Sequence, residues 1–232
     1  MNMWNQLFGI QRTRERLLEQ SSPGALRDYY AEPFPELKTN IKQAPFVALD
    51  FETTGLDIKN DHIVSVGSVE IINLGIKLNT AKHEIIKTAL DMPQDSTVIH
   101  QITDDMVLHG TDIKDAFDKL LASLTGRVLI AHHAKIELGF LNKICLDLYQ
   151  QNFVIPTVDT RQLAERQLKR EQVVLKENSL RLFELRNRYK LPAYKAHNAL
   201  SDAMSTAELF LVLVAELYPN LNCRIKDLVL KK

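Results

Sequence analysis

The chain has 232 residues, 45% of them hydrophobic, enough for one domain with a sizeable core. Lys plus Arg and Asp plus Glu stand at 29 each, so the neutral total excludes a global pull toward nucleic acid or membrane, and any polyanion site must come from local clustering. Two cysteines, Cys145 and Cys223, exclude a disulfide scaffold and a structural zinc site; no apolar run approaches the ~20 residues of a membrane span, and the N-terminus lacks the basic-then-apolar order of a signal peptide, so a cytoplasmic chain without membrane contact is expected.

In chain order, Trp4, Leu7, Phe8, Leu17 and Leu18 recur at roughly helical spacing with Arg12, Arg14 and Arg16 between them. SSPG (21–24) breaks that pattern, and AEPFPEL (31–37) reads as extended linker, because a residue before proline avoids the helical region. Residues 1–44 are therefore expected to form a helical arm and linker, able either to pack on the main domain or to dock a partner protein. Residues 45–218 form the main domain and 219–232 a tail. PFVALDF is a short, nearly continuous apolar run, the pattern of a strand buried on both faces. HIVSVGSVEII (62–72) and KHEIIKTAL (82–90) read as the next strands, with INLGIKLN as the turn region between them. A helix is expected over 112–124, a fourth strand over 127–133, a helix over 135–151 and a fifth strand over 155–160. Helices follow around 161–170, 178–189 and 200–217. Three strands joined by turns, then strands alternating with helices, predict an α/β fold: a mixed five-stranded sheet covered by helices on both faces. Strands 1, 4 and 5 would run parallel through helical crossovers.

ALDFETTG (48–55) places Asp50 and Glu52 two residues apart at the end of the first strand. A strand alternates faces with period two, so both carboxylates leave the same face. Leu49 and Phe51 flank them, so the strand is buried, and buried like charges raise each other's pKa unless a cation lies between them. Hard oxygen ligands at this spacing suit Mg²⁺ or Mn²⁺. Further acids that could converge are Glu137, just after strand 4, and Asp202, at the start of the last long helix. His197 precedes Asp202 by five positions. On one continuous helix that is about 500° of rotation, so the two can meet only if His197 lies on the incoming loop, with Asn198 and Ser201 as candidate caps. His132 and His133, adjacent on a strand, would point to opposite faces and do not make a soft-metal pair.

DFETTG, then a helix-leading acid before GF, then HNALSDA, resembles the DEDDh (DnaQ-like) 3′–5′ exonucleases, with the proofreading epsilon subunit of bacterial DNA polymerase III as the nearest flavour. IHQIT (99–103) is similar to that family's H-G-I-T segment and VDT (158–160) to its D-T before a helix. The resemblance covers about Phe46 to Leu217 and implies a ribonuclease H-like fold. It implies that Asp50, Glu52, Glu137 and Asp202 bind two divalent ions, Mg²⁺ or Mn²⁺, and that His197 is the general base. Hydrolysis of single-stranded DNA or DNA 3′ ends would release nucleoside 5′-monophosphates. Thr53, Leu56, His100 and Ile136 match positions that line the terminal-nucleotide pocket, and the arm of residues 1–44 becomes a candidate docking element for a polymerase or other protein. The chain departs from the family's usual H-N-x-x-F-D at His133, Ile136 and Glu137, where the acid is one methylene longer. The same acids would also serve an RNA 3′-end exoribonuclease, and Glu137 leaves room for a catalytically weakened binding or scaffold member. Residues 160–195 carry ten Lys or Arg against four Glu, a local +6 beside an acidic pocket that could guide a strand's phosphates.

Overall fold

The computed structural model describes residues 3–87, 102–194 and 197–230. Strand β1 (Phe46–Thr53) lies at the centre of a five-stranded sheet, between β2 (Ile63–Ile72) and β4 (Val128–Ala131). Strand β3 (Gly75–Ile85) pairs outside β2 and β5 (Thr157–Asp159) outside β4, giving the order β3-β2-β1-β4-β5. The β1–β2 and β2–β3 pairs are antiparallel, while β1–β4 and β4–β5 are parallel, so the mixed sheet expected from the sequence is present.

Alternation along β1 sends Phe46 and Ala48 to one face and Val47, Leu49 and Phe51 to the other, into two separate buried clusters. The first face is covered by α6 (Thr160–Arg170), α7 (Leu182–Arg188), α8 (Ala199–Leu217) and the short α9 (Ile225–Leu228). Leu163, Leu185, Phe210, Leu213 and Ile225 supply much of that cluster. The second face is covered by α4 (Ile113–Leu124), α5 (Lys135–Tyr149) and two N-terminal helices, α1 (Met3–Gln20) and α2 (Ala25–Ala31). Leu17, Leu26, Tyr29, Tyr30 and Phe34 from the N-terminal segment share that cluster with Val47, Leu121 and Phe140. The Tyr29 and Tyr30 hydroxyls donate to the carbonyls of Val154 and Asn152, which ties the segment to the loop entering β5. Arg14 is buried and donates to the Tyr30 carbonyl.

Several boundaries differ from the sequence reading. The third strand starts at Gly75, and most of INLGIKLN belongs to it. The turn is only Asn73 and Leu74, both left-handed (φ 54° and 56°), as a tight two-residue hairpin requires. A leucine in that conformation carries no turn signal. The fourth strand stops at Ala131, so His132 and His133 lie in the following turn. Helix α7 begins only at Leu182. Helix α2 and a short helix α3 (Asp104–Leu108) were not foreseen. Cys145 and Cys223 are buried free thiols. Among the described residues, no helix is long and apolar enough to cross a membrane.

Candidate active site

The site sits at the carboxyl end of β1, under the N-terminus of α8. Asp50 and Glu52 continue the face occupied by Phe46 and Ala48, which is the face α8 covers. Gly67 lies opposite Asp50 in the β1–β2 ladder. A Cβ at Gly67 would fall 2.1 Å from the Ala199 carbonyl carbon and 2.2 Å from the Leu200 nitrogen. The absent side chain therefore lets the first turn of α8 rest directly on the sheet. That seat brings Asp202 to the two β1 acids: carboxylate oxygens of Asp50, Glu52 and Asp202 lie within 4.8 Å of one another.

His197 lies before α8, with a left-handed φ of 64°. The Asn198 side chain caps the helix by accepting from the Ser201 N–H at 3.1 Å. The His197 main-chain N–H donates to Asp202 Oδ2 at 3.1 Å, so the loop and the acid are held together. The imidazole itself is exposed.

Glu137 arrives from the first turn of α5 and is 5% exposed. Its placement depends on Asp159, at the end of β5. Asp159 Oδ1 accepts from the His133 N–H at 3.0 Å and the Arg161 N–H at 2.9 Å, and Oδ2 accepts from the Ala134 N–H at 3.2 Å. One buried carboxylate thus caps α6 and fixes the turn that aims α5 into the site, where His133 is left-handed at φ 71°. The sequence marks Asp159 only within VDT, as the family-like D-T before a helix, and not as a positioning group, although an Asp before a helix start is itself a capping signal. His132 Nε2–H donates to the Leu180 carbonyl and Nδ1 is hydrogen-bonded to Thr160 Oγ1, both at 2.9 Å. Burial lowers its pKa to about 4, so it is a neutral structural imidazole.

The electrostatics of the cluster call for positive charge. Burial, then the charges of Glu137, Asp202 and Glu52, hold the Asp50 carboxyl well above its ordinary range. Burial, reinforced by Asp159, pushes Glu137 up to about 8. Glu137 Oε2 is buried and makes no hydrogen bond among the described residues. An all-carboxylate donor set with one such oxygen fits a hard divalent cation.

Beside the acids opens a cleft of about 610 Å³, lined by Thr53, Leu56, Ile136 and Glu137 together with Arg161, Lys176 and Arg181. Thr53 is buried and its hydroxyl donates to the Gly55 carbonyl at 2.7 Å; Leu56 is 72% exposed at the rim. Three of the four residues expected to contact a terminal nucleotide therefore share one cleft. The fourth, His100, lies outside the described residues.

A ribonuclease H-like sheet with clustered carboxylates at the end of its central strand defines the nuclease class. The chain belongs to the exonuclease (RNase T) family, whose model matches residues 47–210. It is 30% identical over 170 residues to the DNA polymerase III subunit epsilon of Treponema pallidum, covering 73% of this chain and 76% of that protein. It is 32% identical over 171 residues to the PolC-type DNA polymerase III of Thermotoga maritima, covering 74% of this chain but only 12% of that polymerase. Among solved structures, exonuclease X in complex with 5′-overhanging duplex DNA has the same fold (TM-score 0.56, 22% identity, 73% of this chain and 90% of that one). The chain spans about an eighth of the length of the PolC-type relatives it matches.

Proposed function

We propose that the chain hydrolyses DNA from the 3′ end and releases nucleoside 5′-monophosphates. The observation that carries this reading is the convergence of Asp50, Glu52 and Asp202 within 4.8 Å, with buried Glu137 close enough to raise Asp50 further. These four side chains would hold two divalent ions, Mg²⁺ or Mn²⁺. When bound, such ions polarise a phosphodiester and offset charge on its oxygens.

The chain's own residues would do the rest. His197 accepts a proton from the attacking water, and its backbone bond to Asp202 keeps base and acid in register. Thr53 offers its main-chain amide to the terminal nucleotide, exposed Leu56 lies against the base, and Ile136 closes the apolar side of the cleft. His100 is retained as a fourth contact. Glu137 serves in place of a shorter acid because Asp159 fixes where α5 begins.

The epsilon relative is a subunit of a polymerase, which supports a polymerase partner for this chain as well. Docking through residues 1–44 would use the outer face of α1, where Arg12, Glu15 and Arg16 are exposed, since its inner face is committed to the core. A DNA substrate and two free thiols suit a reducing, cytoplasmic setting.

The test is digestion of matched DNA and RNA strands in Mg²⁺ or Mn²⁺. Strands labelled at the 5′ end are expected to shorten stepwise from the 3′ end, releasing mononucleotides, with DNA preferred. Asp50→Ala is expected to abolish the activity. Equal digestion by Asp50→Ala would place the activity elsewhere, and preference for RNA would transfer the reading to RNA ends.

A further inference from the structure

The basic segment 160–195 does not act as one charged surface, because the fold uses half of it. Arg166 donates to the Asp227 carbonyl and the Tyr218 hydroxyl, and Arg170 to the Leu217 carbonyl. Lys169 pairs with Glu165 at 2.6 Å and Arg188 with Glu171 at 2.7 Å. Arg186 is buried against Glu208 at 2.7 Å and the Ser205 carbonyl at 2.9 Å. These five already have partners within the fold.

Arg161, Lys176 and Arg181 differ in two ways. Each side chain is exposed and makes no hydrogen bond or ion pair among the described residues. All three line the cleft that holds Thr53, Leu56 and Glu137, although they come from the first turn of α6 and from the segment between α6 and α7. Among the described residues, Glu177 and Glu137 are the acids that line that cleft. Arg161 also lines a neighbouring cleft of about 540 Å³, which Lys135 borders as well. Cations left unspent by the fold, converging from separate segments on one groove, match a repeating anion. They carry no arrangement that would read base edges.

Resting on the proposed function, we infer that Arg161, Lys176 and Arg181 bind the phosphodiesters of a single nucleic-acid strand next to its terminal nucleotide, independently of sequence. They set affinity for the polymer without taking part in bond cleavage.

The test uses the full chain with all three changed to Gln, and Lys190→Gln as an exposed control that does not line the cleft. Binding of a dye-labelled single-stranded oligonucleotide is read by fluorescence anisotropy in EDTA across a salt series. For three phosphate contacts the slope of log affinity against log salt should become shallower by about 2, at roughly 0.7 per contact. The control should match the parent. Hydrolysis of the p-nitrophenyl ester of thymidine 5′-monophosphate in Mn²⁺, which has one phosphate and no polymer, should be unchanged in the triple variant.

An unchanged salt slope, an equal change in Lys190→Gln, or a parallel loss on the ester would each overturn the assignment. Failure of the parent to hydrolyse either substrate would instead remove the proposed function, while the anisotropy series still decides whether these cations hold a strand.

Discussion

Asp159 shows how much one carboxylate outside the metal cluster can contribute. It satisfies three backbone N–H groups and sets the start of the helix that carries Glu137. Asp159→Ala should cost about 1–3 kcal/mol through the unsatisfied donors. It should also weaken divalent-ion affinity by roughly 10–100-fold, as loss of a supporting partner commonly does. Calorimetric Mn²⁺ titration checks this, and unchanged affinity would show that Glu137 does not need that support. Asp50 and Glu52 were legible because a period of two on a buried strand leaves little else for them to do. The positioning role of Asp159, visible only as part of VDT, was not legible, because its partners His133 and Ala134 lie about 25 residues away and only the folded chain brings them together.

The pKa shifts at this scale have a signed consequence. Glu137 rises from 4.5 in the unfolded chain to about 8 in the metal-free fold. Between those values the folded chain holds more protons than the unfolded one, so stability falls as pH rises. Thermal melts in EDTA should show Tm declining across that window. Glu137→Gln should flatten the decline and raise Tm at its upper end, by about 0.5–2 kcal/mol of stability. Identical pH profiles for parent and variant would contradict it.

At the scale of elements, the contact that organises the site is α8 resting on β2 at Gly67. Gly67→Ala should cost roughly 1–3 kcal/mol by overpacking. It should also shift Asp202 and His197, and a displacement of about 1 Å can cost on the order of 10²-fold in rate. Gly75→Ala is the control, because its nearest neighbour there would be at an ordinary 3.5 Å. Normal activity in Gly67→Ala would mean that this close approach does not position the acids. An isolated glycine inside HIVSVGSVEII was itself a readable sign of close backbone approach. The β2–β3 turn was not readable, since Leu74 adopts a conformation usually left to Gly or Asn. Helix α2 was hidden by its seven-residue length, between a glycine and the prolines of AEPFPEL.

For the whole molecule, the order of strands and helices was visible in the periodicity, because each element buries its own stripe. Distribution of the termini was not. Pro-rich AEPFPEL suggests a spacer, yet Phe34 is buried, and Asn40 bridges to Arg224 near the C-terminal end. Leu17 to Phe34 on one side and Ile225 to Val229 on the other are drawn into the two layers that flank the sheet, and the sheet in turn places β1, β5, α5 and α8 around one point. The claim on which everything rests is that acids from β1, α5 and α8 gather there to bind divalent cations. Diffraction from Mn²⁺-soaked crystals, using the anomalous signal of manganese, tests it most directly. The expected result is strong anomalous density bounded by Asp50, Glu52, Glu137 and Asp202, lost in Asp50→Ala. Density elsewhere, or none among these four carboxylates, would contradict the account.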